Sequence, residues 1–283
     1  MLVALCSGAG SPGVTTTGLA LALHWSRRVV LVEADASGSS GLLAGYFRGQ
    51  LDQPGLVDLV IAQRSDLLAE AVPRLLFGLE GSGASVLFGL RSHEQAAGAG
   101  VLWPPLLEVL RGLALAGTDV IVDAGRLGLP GWPAPLVAAA DVVLLLTRSD
   151  LPGLAGARSW ATTLAGEEAP GHAVRIVLVG EARPYAAREV AKTLGVPVLG
   201  AVEWAPDHAG VFSHGRSVPP VPWWRRVGRR GDAGQDAFEA SSYVRSVRAL
   251  AEAIAKAGDA GAPVRFRSVL AGVGVNTEGR SPA

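Results

Sequence analysis

Apolar residues fall in short continuous runs that alternate with longer segments of helical period, which is the pattern of a buried parallel sheet covered by helices. The first run, residues 2–6, leads into a glycine-rich turn and then a predicted apolar helix at 15–26. Further strands are predicted at 29–32, 120–122, 141–147 and 174–179. The sequence therefore predicts an α/β fold of three layers, a mostly parallel central sheet flanked by helices.

The remaining segments supply further predicted helices and strands of a single domain. We expect helices at 56–64 and 241–256, and edge strands from the apolar runs at 74–79 and 85–90. Residues 1–258 are predicted to form one domain, residues 215–237 an exposed inserted loop, and residues 259–283 a disordered tail.

Composition narrows the class of protein. The 283 residues are 49% hydrophobic with a mean hydropathy of +0.33, enough to bury one large core. No apolar run reaches the roughly 18–20 residues of a membrane span, and the first strand leaves no room for a signal peptide, so we expect a cytoplasmic protein. The zero net charge argues against a generally basic surface. The single cysteine, Cys6, and five scattered histidines indicate neither disulfides nor a zinc site.

The turn after the first strand resembles a phosphate-binding loop. Residues 8–15 read GAGSPGVT and fit the pattern Gly-x4-Gly-Lys-Ser/Thr except at Val14, where the lysine is missing. Glycines let backbone N–H groups surround a phosphate, and the helix that follows directs its positive end at it. The residues predicted to contact nucleotide are Gly8, Gly10, Ser11, Gly13, Val14, Thr15 and Thr16. The alternative is a strand-to-helix turn without ligand.

Acidic residues follow two of the predicted strands. Glu33 and Asp35 come after the strand at 29–32, and Asp123, followed closely by glycine, ends the strand at 120–122 as a Walker B aspartate does. The carboxyl ends of parallel strands are where open α/β sheets bind ligands. We predict that Thr15, Asp35 and Asp123 hold Mg²⁺, partly through water, and that Asp35 is catalytic by orienting an attacking water. Alternatively, each acid caps a strand or helix.

With these motifs, the chain from Leu2 to about Ala257 resembles the ParA/MinD family of P-loop ATPases with a deviant Walker A loop. Residues 9–16 correspond to the family's K-G-G-x-G-K-T-T, so Ala9 and Val14 replace both lysines. The family's D-x-D segment corresponds to Glu33 and Asp35, and its Walker B aspartate to Asp123. The family's usual prolines after that aspartate are Gly125 and Arg126 here.

The carboxyl-terminal half carries the same resemblance. Residues 192–200, KTLGVPVLG, are similar to the run that precedes the family's last strand. Where relatives often have an asparagine for adenine, this chain has Gly180 and Glu181. The resemblance implies a three-layer P-loop NTPase fold, ATP or ADP with Mg²⁺ as cofactor, and a homodimer.

The missing lysines suggest a nucleotide-binding positioning or scaffold protein with weak or no ATP hydrolysis, in the manner of the TadZ/CpaE branch that localises pilus or secretion machinery. One alternative is a slow ATPase in chromosome or plasmid partitioning or division-site placement, with Arg126 or Arg148 replacing the lysines. Another is a protein-interaction module without nucleotide.

The predicted inserted loop combines aromatic and basic residues. Its side chains could contact DNA or an anionic membrane at the inner face of the cell membrane, or the tryptophans could pack on the domain. The residues concerned are Trp223, Trp224, Arg225, Arg226, Arg229 and Arg230.

Overall fold

A computed structural model describes residues 1–166, 173–220 and 233–260. Within these ranges eight strands form one sheet in the order β3-β4-β2-β5-β1-β6-β7-β8. Every neighbouring pair is parallel except β3 with β4. The strands are β1 (Leu2–Ser7), β2 (Val29–Glu33), β3 (Phe77–Gly78), β4 (Ala84–Leu87), β5 (Asp119–Arg126), β6 (Val142–Arg148), β7 (Ala173–Val179) and β8 (Val198–Val202). The predicted mostly parallel sheet is confirmed.

Helices cover both faces of this sheet. They are α1 (Val14–Leu23), α2 (Leu56–Gln63), α3 (Leu68–Leu75), α4 (His93–Gly98), α5 (Trp103–Leu115), α6 (Ala134–Ala138), α7 (Leu151–Ala165), α8 (Ala187–Leu194), α9 (Pro206–His214), α10 (Ala233–Glu239) and α11 (Ser242–Ala260). A π-helical turn at Leu42–Tyr46 and a 3-10 turn at Ala99–Val101 join them. Among the described helices, none combines the length and apolar character needed to cross a membrane.

Successive side chains of each strand point to opposite faces of the sheet, so the core has two parts, one on each face. In β1, Val3 and Leu5 pack with α1, α9, α10 and α11, whereas Ala4 and Cys6 pack with α2 to α8. Both faces of the central strands are buried, which explains their continuous apolar sequences. Burial also raises the pKa of the Cys6 thiol, so this side chain stays protonated within the core.

Element boundaries differ from the sequence prediction in several places. Helix α1 ends at Leu23 rather than near Ser26, and Trp25 donates a hydrogen bond to Asp119. The run at 74–79 is divided, since residues 74–75 end α3 and Phe77–Gly78 forms a short edge strand. Strand β4 is internal because it pairs with both β2 and β3. Residues 233–237 of the predicted loop lie in α10, and α11 continues to Ala260, into the predicted tail.

We predict that Leu31→Ala destabilises the protein by about 2–5 kcal/mol, because the substitution leaves a cavity between the sheet and α1. Leu31 is 0% exposed, whereas Leu115 is 91% exposed. The matched control Leu115→Ala should therefore change the free energy of unfolding by less than about 0.5 kcal/mol. Urea denaturation followed by circular dichroism measures both, and equal effects would contradict the assigned core.

Candidate functional site

The glycine-rich turn has the backbone that a phosphate-binding loop requires. It connects β1 to α1 across residues 8–13, and Gly10 and Gly13 have φ of +68° and +95°, a left-handed conformation that favours glycine. Gly13 caps α1 without a side-chain hydrogen bond, so the first N–H groups of the helix face the turn without a capping side chain. The turn can therefore offer backbone donors and the helix dipole to an anion.

The two positions where the ParA/MinD pattern has lysine are apolar and packed. Val14 is 7% exposed and belongs to the core on the α1 face of the sheet. Ala9 lies against Gly156 of α7 so closely that a Cβ on Gly156 would overlap the Ala9 side chain. A Cβ on Gly8 would lie 2.9 Å from a ring carbon of Trp160. Helix α7 therefore covers one side of the loop.

Asp123 is the buried acid of the site. It is 1% exposed, and its Oδ1 accepts a hydrogen bond of 3.0 Å from the Gly125 N–H. Its Oδ2 is buried and has no hydrogen-bond partner among the described residues. A buried carboxylate oxygen without a partner is costly unless a cation or donor is present. The Asp123 Oδ2 and the Thr15 hydroxyl beside this carboxyl fit a divalent cation that prefers oxygen ligands.

The surroundings of Asp123 disfavour its charge. Burial raises the pKa of this carboxyl to about 7, and the negative charges of Asp35 and Glu33 contribute to the increase. The Thr15 hydroxyl and the Gly125 N–H act in the opposite direction. A cation bound here would relieve the repulsion and hold the carboxyl ionised.

Asp35 lies beside Asp123 because the segment after β2 contacts Gly125 near the end of β5. Gly125 has φ of +58°, and a Cβ at this position would overlap the carboxylate of Asp35. The Ser37 N–H donates a 2.8 Å hydrogen bond to Asp35 Oδ1. The structure thus brings Thr15, Asp35 and Asp123 together at one edge of the sheet, as expected for parallel strands.

Glu33 has a structural role in this arrangement. Its carboxylate is buried and accepts hydrogen bonds from the Ser40 hydroxyl at 2.6 Å, the Leu42 N–H at 2.9 Å and the Gly89 N–H at 2.9 Å. These contacts tie the π-helical turn and the end of β4 to β2. Gly41, between two of the donors, lies against Thr15. Glu33 therefore holds the segment around Gly41 against Thr15.

Neither arginine named as a lysine substitute has a recorded contact with the loop in the described ranges. Arg126 ends β5 with an exposed side chain. Arg148 ends β6, and its guanidinium lies over the Trp204 ring, 5.1 Å from the centroid. Trp204 follows β8, which is two strands from β6 on the side opposite to β1. The Arg148 side chain therefore points away from the glycine-rich loop.

Other candidate groups remain apart from this edge. Within the described ranges, no cluster of three or more histidine, cysteine or acidic residues could hold a metal ion. The aromatic and basic residues Trp223, Trp224, Arg225, Arg226, Arg229 and Arg230 lie outside the described residues. Sequence reasoning did not identify Ser40, Gly89, Gly156 or Trp160 as parts of the site, since their role follows from contacts between distant segments.

The architecture can be compared with known structures. MinD of Pyrococcus horikoshii, a septum site-determining protein complexed with Mg-ADP, is 16% identical with a TM-score of 0.64, over 93% of this chain and 99% of that one. The MinC:MinD cell division complex of Aquifex aeolicus contains a chain 11% identical with a TM-score of 0.63, over 95% and 99%. A ParA family ATPase of Chlorobium tepidum is 13% identical with a TM-score of 0.61, over 89% and 97%.

Sequence comparison adds nothing to these likenesses, since no protein-family model and no curated protein sequence matches the chain. At such low identity the structural similarity establishes the fold. The chain has the P-loop NTPase fold of the MinD and ParA ATPases, and this expectation is confirmed.

We predict that the metal-free protein loses stability as the pH rises from about 4 to about 7. The pKa of Asp123 is raised to about 7 in the folded chain, so between its ordinary value near 3.9 and 7 the folded state binds more protons than the unfolded state. In Asp123→Asn the loss in free energy of unfolding between pH 4 and pH 7 should be smaller than in the wild type by on the order of 1–3 kcal/mol. Urea unfolding in EDTA at several pH values measures it, with exposed Asp259→Asn as the control. An unchanged profile in Asp123→Asn would contradict the assignment.

We further predict that Gly125→Ala costs at least about 1 kcal/mol more stability than Gly117→Ala, because a methyl group displaces Asp35. Gly117 is the matched control, with φ of +86° and nothing within 4 Å of an added Cβ. Both substitutions impose similar backbone strain. Thermal unfolding of the two variants measures the difference, and equal losses would show that the Asp35 contact has no energetic weight.

Proposed function

We propose that the chain is a ParA/MinD-like nucleotide-binding positioning or scaffold protein, with weak or absent hydrolysis. The observation that carries this proposal is the buried Asp123 Oδ2, which has no partner among the described residues and lies beside Thr15 at the end of a glycine-rich loop. Thr15, Asp123 and Asp35 would hold Mg²⁺, partly through water. The cation would neutralise charge on the outer phosphates of ATP or ADP.

Binding can survive the loss of the lysines. A charge-assisted hydrogen bond contributes about 1.5–3 kcal/mol, so each missing lysine weakens affinity about ten- to a hundredfold. The backbone N–H groups of Gly8, Gly10, Ser11 and Gly13, the α1 dipole and the residues Thr15 and Thr16 remain. MinD of Pyrococcus horikoshii, which has this fold, is complexed with Mg-ADP in its structure.

Hydrolysis should suffer more than binding. Cations of arginine-finger type raise phosphoryl-transfer rates about 10³- to 10⁵-fold, and the loop has only Val14 and Ala9 at the two lysine positions. Asp35 is the group we expect to orient the attacking water. Its carboxylate lies against Gly125, close to Asp123, which supports this proposal.

We also propose a homodimer that binds a protein partner, as MinD of Aquifex aeolicus forms a complex with MinC. The partner would belong to a positioning, pilus or secretion system. The protein itself would be cytoplasmic and would associate with the inner face of the membrane. DNA or membrane contact through Trp223, Trp224 and the neighbouring arginines belongs to this proposal too.

A slow ATPase in partitioning or division-site placement is the second candidate, favoured by the placement of Asp35 beside Asp123. It differs in requiring measurable, partner-stimulated hydrolysis. A module without nucleotide is the third reading, and the packed apolar side chain of Val14 favours it.

Calorimetric titration with Mg²⁺ and ATP tests the proposed function. We expect saturable binding that Thr15→Ala weakens, and that Val14→Lys strengthens about ten- to a hundredfold by adding a cation beside the phosphates. Val14→Met is the matched control, since it lengthens the side chain without charge and should leave affinity unchanged. No saturable binding of any nucleoside triphosphate at millimolar concentration would refute the proposal.

A further inference from the structure

The acids around Asp123 make the charge of the candidate site one-sided. Asp123 and Glu33 are 1% and 2% exposed, and the carboxylate of Asp35 lies against Gly125. Besides burial, the negative charges of both neighbouring acids raise the pKa of Asp123. Three carboxylates therefore surround the position that we propose for Mg²⁺.

Basic side chains do not balance these acids. The two lysine positions of the loop hold Val14 and Ala9. Arg126 is exposed and forms no ion pair in residues 1–166, 173–220 and 233–260, and solvent screens its charge. The guanidinium of Arg148 lies over the Trp204 ring instead. The positive charge offered to a ligand would therefore come mainly from Mg²⁺ and the α1 dipole.

Hydrogen-bond donors near these acids are engaged by the protein's own carboxylates. Asp35 accepts one such bond, Asp123 accepts one and Glu33 accepts three. The donors are the N–H groups of Ser37, Leu42, Gly89 and Gly125 and the Ser40 hydroxyl. A phosphate among these acids would compete for donors that already have acceptors.

The glycine-rich turn serves one end of a polyphosphate chain. A phosphate in the turn meets the N–H groups at the start of α1 and the helix dipole. Further phosphates extend toward Thr15 and Asp123, because a cation held there would bridge the outer phosphates. Asp35 lies beside Asp123, and the Ser37 N–H fixes its carboxylate with a 2.8 Å hydrogen bond. Each added phosphate therefore approaches a second negative charge.

We propose that the site selects nucleoside diphosphates over nucleoside triphosphates; this inference rests on the proposed nucleotide-binding function. The Mg²⁺ complex of a triphosphate carries one more negative charge than that of a diphosphate. In a P-loop with lysine, that cation reaches the outer phosphates, whereas Val14 offers no charge here. The protein would then hold a diphosphate as its resting ligand, which suits a scaffold with weak hydrolysis.

Competition binding with the full-length protein tests the selectivity. A fluorescent ADP analogue in Mg²⁺ buffer is displaced by unlabelled ADP or by a non-hydrolysable ATP analogue. We expect ADP to bind at least about tenfold more tightly, the loss expected for one missing charge-assisted contact. Pyrophosphate and tripolyphosphate form the base-free pair, and pyrophosphate should bind more tightly by a similar factor.

Two variants test whether charge sets the preference. Val14→Lys adds a cation, and Asp35→Asn removes a carboxylate charge while keeping the side-chain shape. Each should narrow the preference for ADP at least about threefold, because one charge near the terminal phosphate changes. The controls are Val14→Met and, at an exposed acid of α5, Glu108→Gln, both of which should retain the wild-type preference.

An ATP analogue that binds as tightly as ADP would overturn the inference while leaving the proposed nucleotide-binding function in place. A preference for ADP that both Val14→Lys and Asp35→Asn retain would also overturn it, since charge would then not be the cause. Absence of binding by both nucleotides and by both base-free polyphosphates would refute the proposed function and the inference together.

Discussion

The central constraint on this molecule is the burial of a carboxylate among other acids. Asp123 lies at the carboxyl end of a central strand with one oxygen unpartnered among the described residues, and its burial, together with the charges of Asp35 and Glu33, raises its pKa. Such a group destabilises a fold unless it is protonated or binds a cation. We interpret the site as one that is completed by a cation and an anionic ligand, and this interpretation joins the glycine-rich loop, Thr15 and the two neighbouring loops into one functional unit.

Close backbone approach makes this arrangement possible. Because Gly125 and Gly156 have no side chain, the carboxylate of Asp35 and the methyl group of Ala9 can pack directly against them. Glu33 accepts hydrogen bonds from two separate segments. The same packing accounts for the unusual loop. Val14 contributes to the core and Ala9 contacts α7, so both positions that carry lysine in the ParA/MinD pattern serve packing here. The loop therefore combines the backbone shape of a phosphate-binding loop with apolar side chains at these two positions.

The sequence predicted the mostly parallel sheet and the acids at the ends of two of its strands. Continuous apolar strands, the glycine pattern and acids at strand ends are local signals, and the parallel pairing of β2 with β5 brings the segments of Asp35 and Asp123 together. The hydrogen bonds of Glu33 and the stacking of Arg148 on Trp204 were not predictable, because they join residues that are distant in sequence. Helix ends also differed, since tertiary contacts such as that of Trp25 with Asp119 set them.

The most direct test of the central claim is to locate the cation itself. A crystal of the protein grown with Mn²⁺ and a nucleoside diphosphate allows the metal to be placed by anomalous diffraction. The account predicts an anomalous peak between Thr15 and Asp123, with the phosphates in the turn at residues 8–13. A bound nucleotide with no metal at Asp123, or an empty turn at millimolar ligand, would contradict it.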